Sequence, residues 1–87
     1  MKIEFKRSFA RDLRKLPANQ RRRVEELILR VESAESIQAI PNLRTLQGAV
    51  YCYRIRQGKY RCGVIIEEET VLFVRYLHRR EIYRHFP

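Results

Sequence analysis

The sequence predicts an α+β domain: an N-terminal strand, a two-helix hairpin, then antiparallel strands forming a small twisted sheet with the helices on one face. Three observations lead there. Apolar residues recur at helical spacing between residues 5 and 31, the period falls to two between residues 51 and 77, and Pro17, Pro41 and Gly48 stand where the periodicity breaks. The chain has 87 residues without an internal repeat, linker or low-complexity tract, so residues 1–87 read as a single domain.

Lys2 to Phe5 alternate polar and apolar, as in a short strand. Phe5, Phe9, Leu13 and Leu16 then follow at spacings of four, four and three, which predicts a helix from about Arg7 to Leu16 with Ser8 as its cap. Pro17 ends it, and Pro17-Ala18-Asn19 supplies a turn and the cap of a second helix whose apolar stripe is Val24, Leu27, Ile28 and Val31. Ser33 to Gly48 has weak periodicity, is interrupted by Pro41-Asn42, and reads as a connection that closes in a turn. Two alternating runs follow, then a third from Val71 to Leu77 after an acidic turn. The ending HRREIYRHFP is too short and charged for an independent helix and reads as one turn packed on the sheet edge.

The hairpin YRIRQGKYR carries the functional signal. With Gln57-Gly58 as a two-residue loop, Arg56 faces Lys59, Arg54 faces Arg61 and Cys52 faces Gly63 on one side of the sheet. Ile55/Tyr60, Tyr53/Cys62 and Tyr51/Val64 then share the other side. Cys52 and Cys62 point to opposite faces in this register, so no disulfide is expected between them. A turn at Glu68-Glu69 adds Val71, Phe73 and Leu77 to the apolar face. It puts Leu72, Val74, Tyr76 and His78 on the cationic one, where Tyr76 and His78 border the four cations. A one-residue slip would reverse every assignment in that strand.

Lysines and arginines outnumber acids 19 to 10, a net charge of +9. Such an excess adds self-repulsion and points to a polyanionic partner, nucleic acid or an acidic protein. The longest apolar runs fall far short of a membrane span, and the charged N-terminus lacks the apolar stretch of a secretion signal, so a cytoplasmic location without membrane association is expected. The cysteines have no metal-site spacing, and neither a metal nor another cofactor is expected. Nucleophile triads, paired carboxylates and Gly-rich phosphate loops are also missing from the sequence. RNA, however, brings its own 2′-hydroxyl nucleophile, and its cleavage needs in-line placement, a base, an acid and cations around the phosphorane. Arg, Lys, His and Tyr supply these. The plain structural alternative is a solvated arginine face with aliphatic stems lying on Leu72 and Val74.

From Gly48 onward, and above all in YRIRQGKYR and HRREIYR, the sequence resembles the RelE/ParE superfamily of toxins, in particular its RelE-like branch. The N-terminal strand and FKRSFARDLRKLP resemble it too, so nearly the whole chain is covered. The resemblance implies a ribosome-dependent mRNA endoribonuclease held inactive by an antitoxin encoded beside it. By position it implies that Arg61 and Arg80 stabilise the transition state and that Arg54, Arg56 and Arg79 hold the RNA backbone, to which the strand reading adds Lys59. Tyr76 joins those RNA contacts on the strand reading, and Tyr83 and His78 become the groups for proton transfer. Some RelE-like members carry the functional tyrosine close to the C-terminus, where this chain has Phe86; others carry it in the HRRE-x-Y pattern, met here by Tyr83. Tyr83 and His78 also have structural readings, as a packing anchor and a surface histidine. Two rival functions stay open: a ParE-like inhibitor of DNA gyrase, and a basic RNA- or DNA-binding module without chemistry.

Overall fold

The helical stripes and alternating runs form helices and strands where their periods place them, with one strand more than the periodicity reveals. A computed structural model of residues 1–87 contains β1 (Lys2–Phe5), α1 (Arg7–Arg14), α2 (Ala18–Ser33), a 3₁₀ turn (Ile37–Ala39), β2 (Leu43–Thr45), β3 (Cys52–Gln57), β4 (Tyr60–Glu67), β5 (Thr70–His78) and α3 (Ile82–His85). The five strands make one mixed sheet in the order β1-β5-β4-β3-β2, in which β1 runs parallel to β5 and the other neighbours are antiparallel. The added strand is β2, three residues inside the expected connection. No helix is long and apolar enough to cross a membrane.

The core lies between the helical hairpin and one sheet face. Phe9, Val24, Leu27 and Val31 meet Ile55, Cys62, Val64, Ile66, Val71, Phe73 and Tyr76 there, all buried. Each large apolar side chain so buried contributes about 1.5–3 kcal/mol. Leu13 and Ile28 cover its margin. Phe5 ends β1 instead of joining the helix, and its half-exposed ring stacks on Phe9 and Phe73 at 5.8 and 5.4 Å. The expected cap at Ser8 is corrected: Lys6 is the N-cap, and Ser8 Oγ donates to the Val74 carbonyl at 2.6 Å.

The β3–β4 turn is Gly58-Lys59, because Gln57 pairs with Tyr60 and Arg56 with Arg61. Glycine second in the loop would have forced Gln57 into the left-handed region as well. With glycine first, Gly58 alone takes positive φ, at 59°, as in a type II′ turn. Gln57 stays in the strand, where its Oε1 accepts from the Tyr76 hydroxyl and its Nε2 donates to the Arg23 carbonyl. The correction moves the register by two residues, so each strand keeps its faces. Arg54 and Arg56 still share one side with Arg61, but Arg54 now faces Gly63 and Lys59 moves into the turn.

The slip that threatened the third run does occur, halfway along it. Glu67 pairs with Thr70 and Val64 with Phe73, but Gly63 pairs with Arg75, so Val74 is an extra residue in a β-bulge. Every face beyond it reverses. Leu77 lies opposite Arg61 on the cationic side, while Tyr76 and His78 turn to the helix side opposite Cys62 and Tyr60. Asp12 secures the bulge from α1: it is 3% exposed, receives Arg75 through Nε at 2.8 Å and Nη2 at 3.1 Å, and accepts the Tyr76 backbone N–H at 2.9 Å.

Tyr76 is thereby 1% exposed, stacked on Tyr60, and hydrogen-bonded through its hydroxyl to Gln57 and Gln20. Burial pushes its phenol up to about 12, against about 10 in an unfolded chain. Between those values the native state holds the proton more tightly than the unfolded one, so stability falls as pH rises from about 10 to about 12, by about 2 kcal/mol. Urea unfolding across that range should show the loss, and Tyr76→Phe should remove this part of the slope.

Candidate nucleic-acid interface

The sheet face away from the helical hairpin gathers the arginines. Arg44 on β2 is the cross-strand neighbour of Arg54 on β3, and Arg56 on β3 is that of Arg61 on β4. Like charges so placed cost about 0.2–1 kcal/mol per pair, and no acid relieves them: the one salt bridge in the structure is Asp12 with Arg75. Asn42, Arg44, Arg54, Arg56, Arg61 and Tyr83 line a cleft of about 320 Å³. Asn42 enters it from a left-handed backbone at φ 60°, a conformation asparagine tolerates, and its carbonyl accepts the Arg56 N–H at 3.1 Å.

Arg61 is fixed at the centre. Its Nη1 donates to the carbonyls of Gly58 at 3.0 Å and Tyr60 at 2.8 Å, which leaves the rest of the guanidinium fork for a ligand. Partial burial, then the charges of Arg56 and Arg79, lower its pKa below the ordinary arginine value, with a smaller contribution from Arg54; the Tyr83 phenol acts the other way. A cation made less comfortable by desolvation and like neighbours gains from a bound anion.

Tyr83 stands at the same place, 73% exposed, with the Arg54 guanidinium carbon 4.5 Å from its ring centroid. It leaves the packing to its neighbours: Ile82 is fully buried and Phe86 is 5% exposed. The tail therefore packs over the sheet face, with Phe86 against Gly63 of the central strand, and not on the sheet edge.

The structure brings Arg54, Arg56, Arg61 and Tyr83 together and adds Arg44 and Asn42. Arg79 is near enough to act on Arg61, and its backbone N–H donates to the Lys59 carbonyl at 2.8 Å. Lys59 and Arg80 are exposed in turns and lie outside the cleft lining. Two expectations are corrected by the bulge. Tyr76 is a core residue and cannot contact RNA. His78 belongs to the opposite side, edge-on to Tyr60 at 6.0 Å, with its Nδ1 accepting the Arg80 N–H at 3.2 Å. Arg44 went unnoticed because Leu43-Arg44-Thr45 is too short to show a period. Asp12 did carry a signal, an acid three residues after Phe9 on the apolar stripe.

No three His, Cys, Asp or Glu side chains come together in a way that would hold a metal ion. What the cleft offers is a set of guanidinium forks beside an accessible phenol and aromatic face, suited to phosphate and a splayed base.

Comparison with known proteins agrees with this geometry. The family described as the ParE toxin of the type II toxin-antitoxin system parDE matches residues 3–83. Toxin RelE3 of Methanocaldococcus jannaschii is 34% identical over 88 residues, covering all of both chains. Among solved structures, a chain of the RelB-RelE antitoxin-toxin complex from Methanococcus jannaschii superposes with a TM-score of 0.80 at 32% identity, over 97% of this chain and 99% of that one. A chain of the toxin-antitoxin complex RelBE2 from Mycobacterium tuberculosis gives 0.75 at 28% identity, over 90% and 96%.

Proposed function

The chain belongs to the RelE/ParE family of toxins from type II toxin-antitoxin systems, and from that premise we propose that it is a ribosome-dependent endoribonuclease that cuts mRNA and so stops translation in the cytoplasm. The observation that carries this reading is the cleft, where Arg61 is anchored among unneutralised arginines beside an exposed tyrosine.

A ribosome-held message would present one phosphate to Arg61, with Arg44, Arg54 and Arg56 on the adjoining backbone. The 2′-oxygen attacks phosphorus and the bond to the 5′-oxygen breaks, leaving a 2′,3′-cyclic phosphate and a 5′-hydroxyl. One proton leaves the 2′-hydroxyl and one reaches the departing oxygen. Arg61 and Arg79 offset the charge of the phosphorane. Tyr83 is the proton-transfer group on this face, a role the bulge removes from His78. Lys59 and Arg80, exposed in turns outside the cleft lining, take flanking phosphates, so Arg80 is assigned there and not at the scissile phosphate. The need for the ribosome is consistent with a cleft that has cations in excess and one phenol in place of a matched acid-base pair.

An antitoxin with an acidic, helical segment is the proposed storage partner. Its charge would neutralise the cations that the fold leaves unpaired, and the solved relatives are antitoxin-toxin complexes.

The match to the ParE description favours one other reading, inhibition of DNA gyrase without chemistry. Purified protein is expected to cut mRNA on translating ribosomes and leave gyrase supercoiling unaffected. Inhibited supercoiling with intact mRNA would reverse the choice.

A further inference from the structure

We propose that Phe86 is a positioning residue for the cleft: its ring, seated on the bare Cα of Gly63, holds α3 so that Tyr83 stands against Arg54. The activity part of this inference rests on the nuclease reading above; the positioning part stands on geometry alone.

Gly63 lies on the central strand, and its backbone is not in the left-handed region. It is glycine for reasons of space. A methyl group at this position would sit 2.6 Å from Cγ and Cδ2 of Phe86 and 2.9 Å from Cδ1, well inside contact distance. The residue directly opposite Gly63 on β3 is Arg54. One rung of the sheet thus carries both the seat of the Phe86 ring and the cation that meets Tyr83.

A helix of four residues cannot hold itself in water. What holds α3 is the pair Ile82 and Phe86, four residues apart and therefore on one side of the turn, both buried, with the Phe86 N–H bonded to the Ile82 carbonyl at 2.9 Å. Tyr83 shares that turn but not its buried side, and Arg54 is the group its ring meets. Its position is consequently set by the seat beneath its neighbours. A displacement of about 1 Å at a reacting group can lower a rate about 100-fold, so the seat matters to chemistry without touching RNA.

The experiment pairs nuclear Overhauser contacts between the Tyr83 ring and the Arg54 side chain in the free protein with cleavage kinetics on translating ribosomes. Gly63→Ala and Phe86→Ala should each abolish the contact while the core contacts among Phe9, Val64 and Phe73 persist. They should lower kcat about 10-fold or more with KM within about twofold, because the arginines that bind RNA stay in place. Phe86→Leu in the Gly63→Ala background, where a smaller and more flexible side chain clears the methyl group, should restore the contact and most of the rate. Persistence of the contact in folded Phe86→Ala would overturn the proposal, whatever the activity. Loss of the contact with unchanged kcat would overturn the positioning role. Absence of cleavage by the wild-type chain would count against the nuclease reading alone, leaving the contact measurements to decide the seat.

Discussion

Asp12→Ala is expected to destabilise the domain by about 2–4 kcal/mol: the Asp12 carboxylate is buried but Arg75 is 20% exposed, so the loss falls below that for a fully buried ion pair. Domains of this kind hold only about 5–15 kcal/mol in total, so the variant should be partly unfolded or close to it at ordinary temperature. The cost has two sources. Arg75, whose pKa the Asp12 hydrogen bonds raise, would keep its charge with no partner, and the Tyr76 N–H, displaced from the ladder by the bulge, would lose its acceptor. Asp12→Asn, which can still accept that N–H, should cost less. Chemical denaturation of the three proteins measures the order directly; equal stability of wild type and Asp12→Ala would show that the bulge does not depend on this acid. The effect reaches the cleft too, because the bulge decides which side of β5 carries Leu77 and, beyond it, Arg79.

Arg61→Ala is expected to lower activity sharply while leaving stability nearly unchanged. On the proposed mechanism it removes the fixed guanidinium at the scissile phosphate, and loss of one such transition-state donor costs about 10²–10³ in rate. The same change deletes one member of the Arg56/Arg61 like-charge pair but also the two hydrogen bonds from Nη1 to the Gly58 and Tyr60 carbonyls, effects of similar size and opposite sign, so stability should stay within about 1 kcal/mol of wild type. Arg61→Lys keeps the charge but loses the fork that grips two carbonyls while presenting free N–H groups, so it should recover only part of the rate. Thermal melts and single-turnover cleavage separate the terms. A variant that loses activity only as it loses stability would make Arg61 a structural residue.

Much of this was legible because period and face are local properties. The stripe Phe9, Leu13, Leu16 and the alternation Tyr53, Ile55 against Arg54, Arg56 are readable without knowing what they pack on. The two-residue error at the hairpin tip left the cationic face intact, since a shift of two preserves which side a residue occupies. The bulge was different: a single inserted residue, Val74, reversed Tyr76, Leu77 and His78, and the acid that bonds to it lies 64 residues away from Tyr76 in the chain. Contacts of that separation leave no trace in spacing. Phe86 and Gly63 show the same limit, because a missing Cβ on β4 acquires its meaning only when the tail lies over it. Of Phe86 and Tyr83, the two aromatics the sequence offered for the site, burial distinguishes the positions only in three dimensions, one against Gly63 and the other beside Arg54.

Whether the arginine cleft cuts RNA through the RNA's own 2′-hydroxyl can be read from the ends of the fragments released from translating ribosomes. The wild-type chain should leave a 2′,3′-cyclic phosphate on the upstream fragment and a 5′-hydroxyl on the downstream one, and Arg61→Ala should form the same ends about 10²–10³-fold more slowly. Fragments bearing a 5′-phosphate and a 3′-hydroxyl, or mRNA left whole while the protein stays bound, would contradict this chemistry.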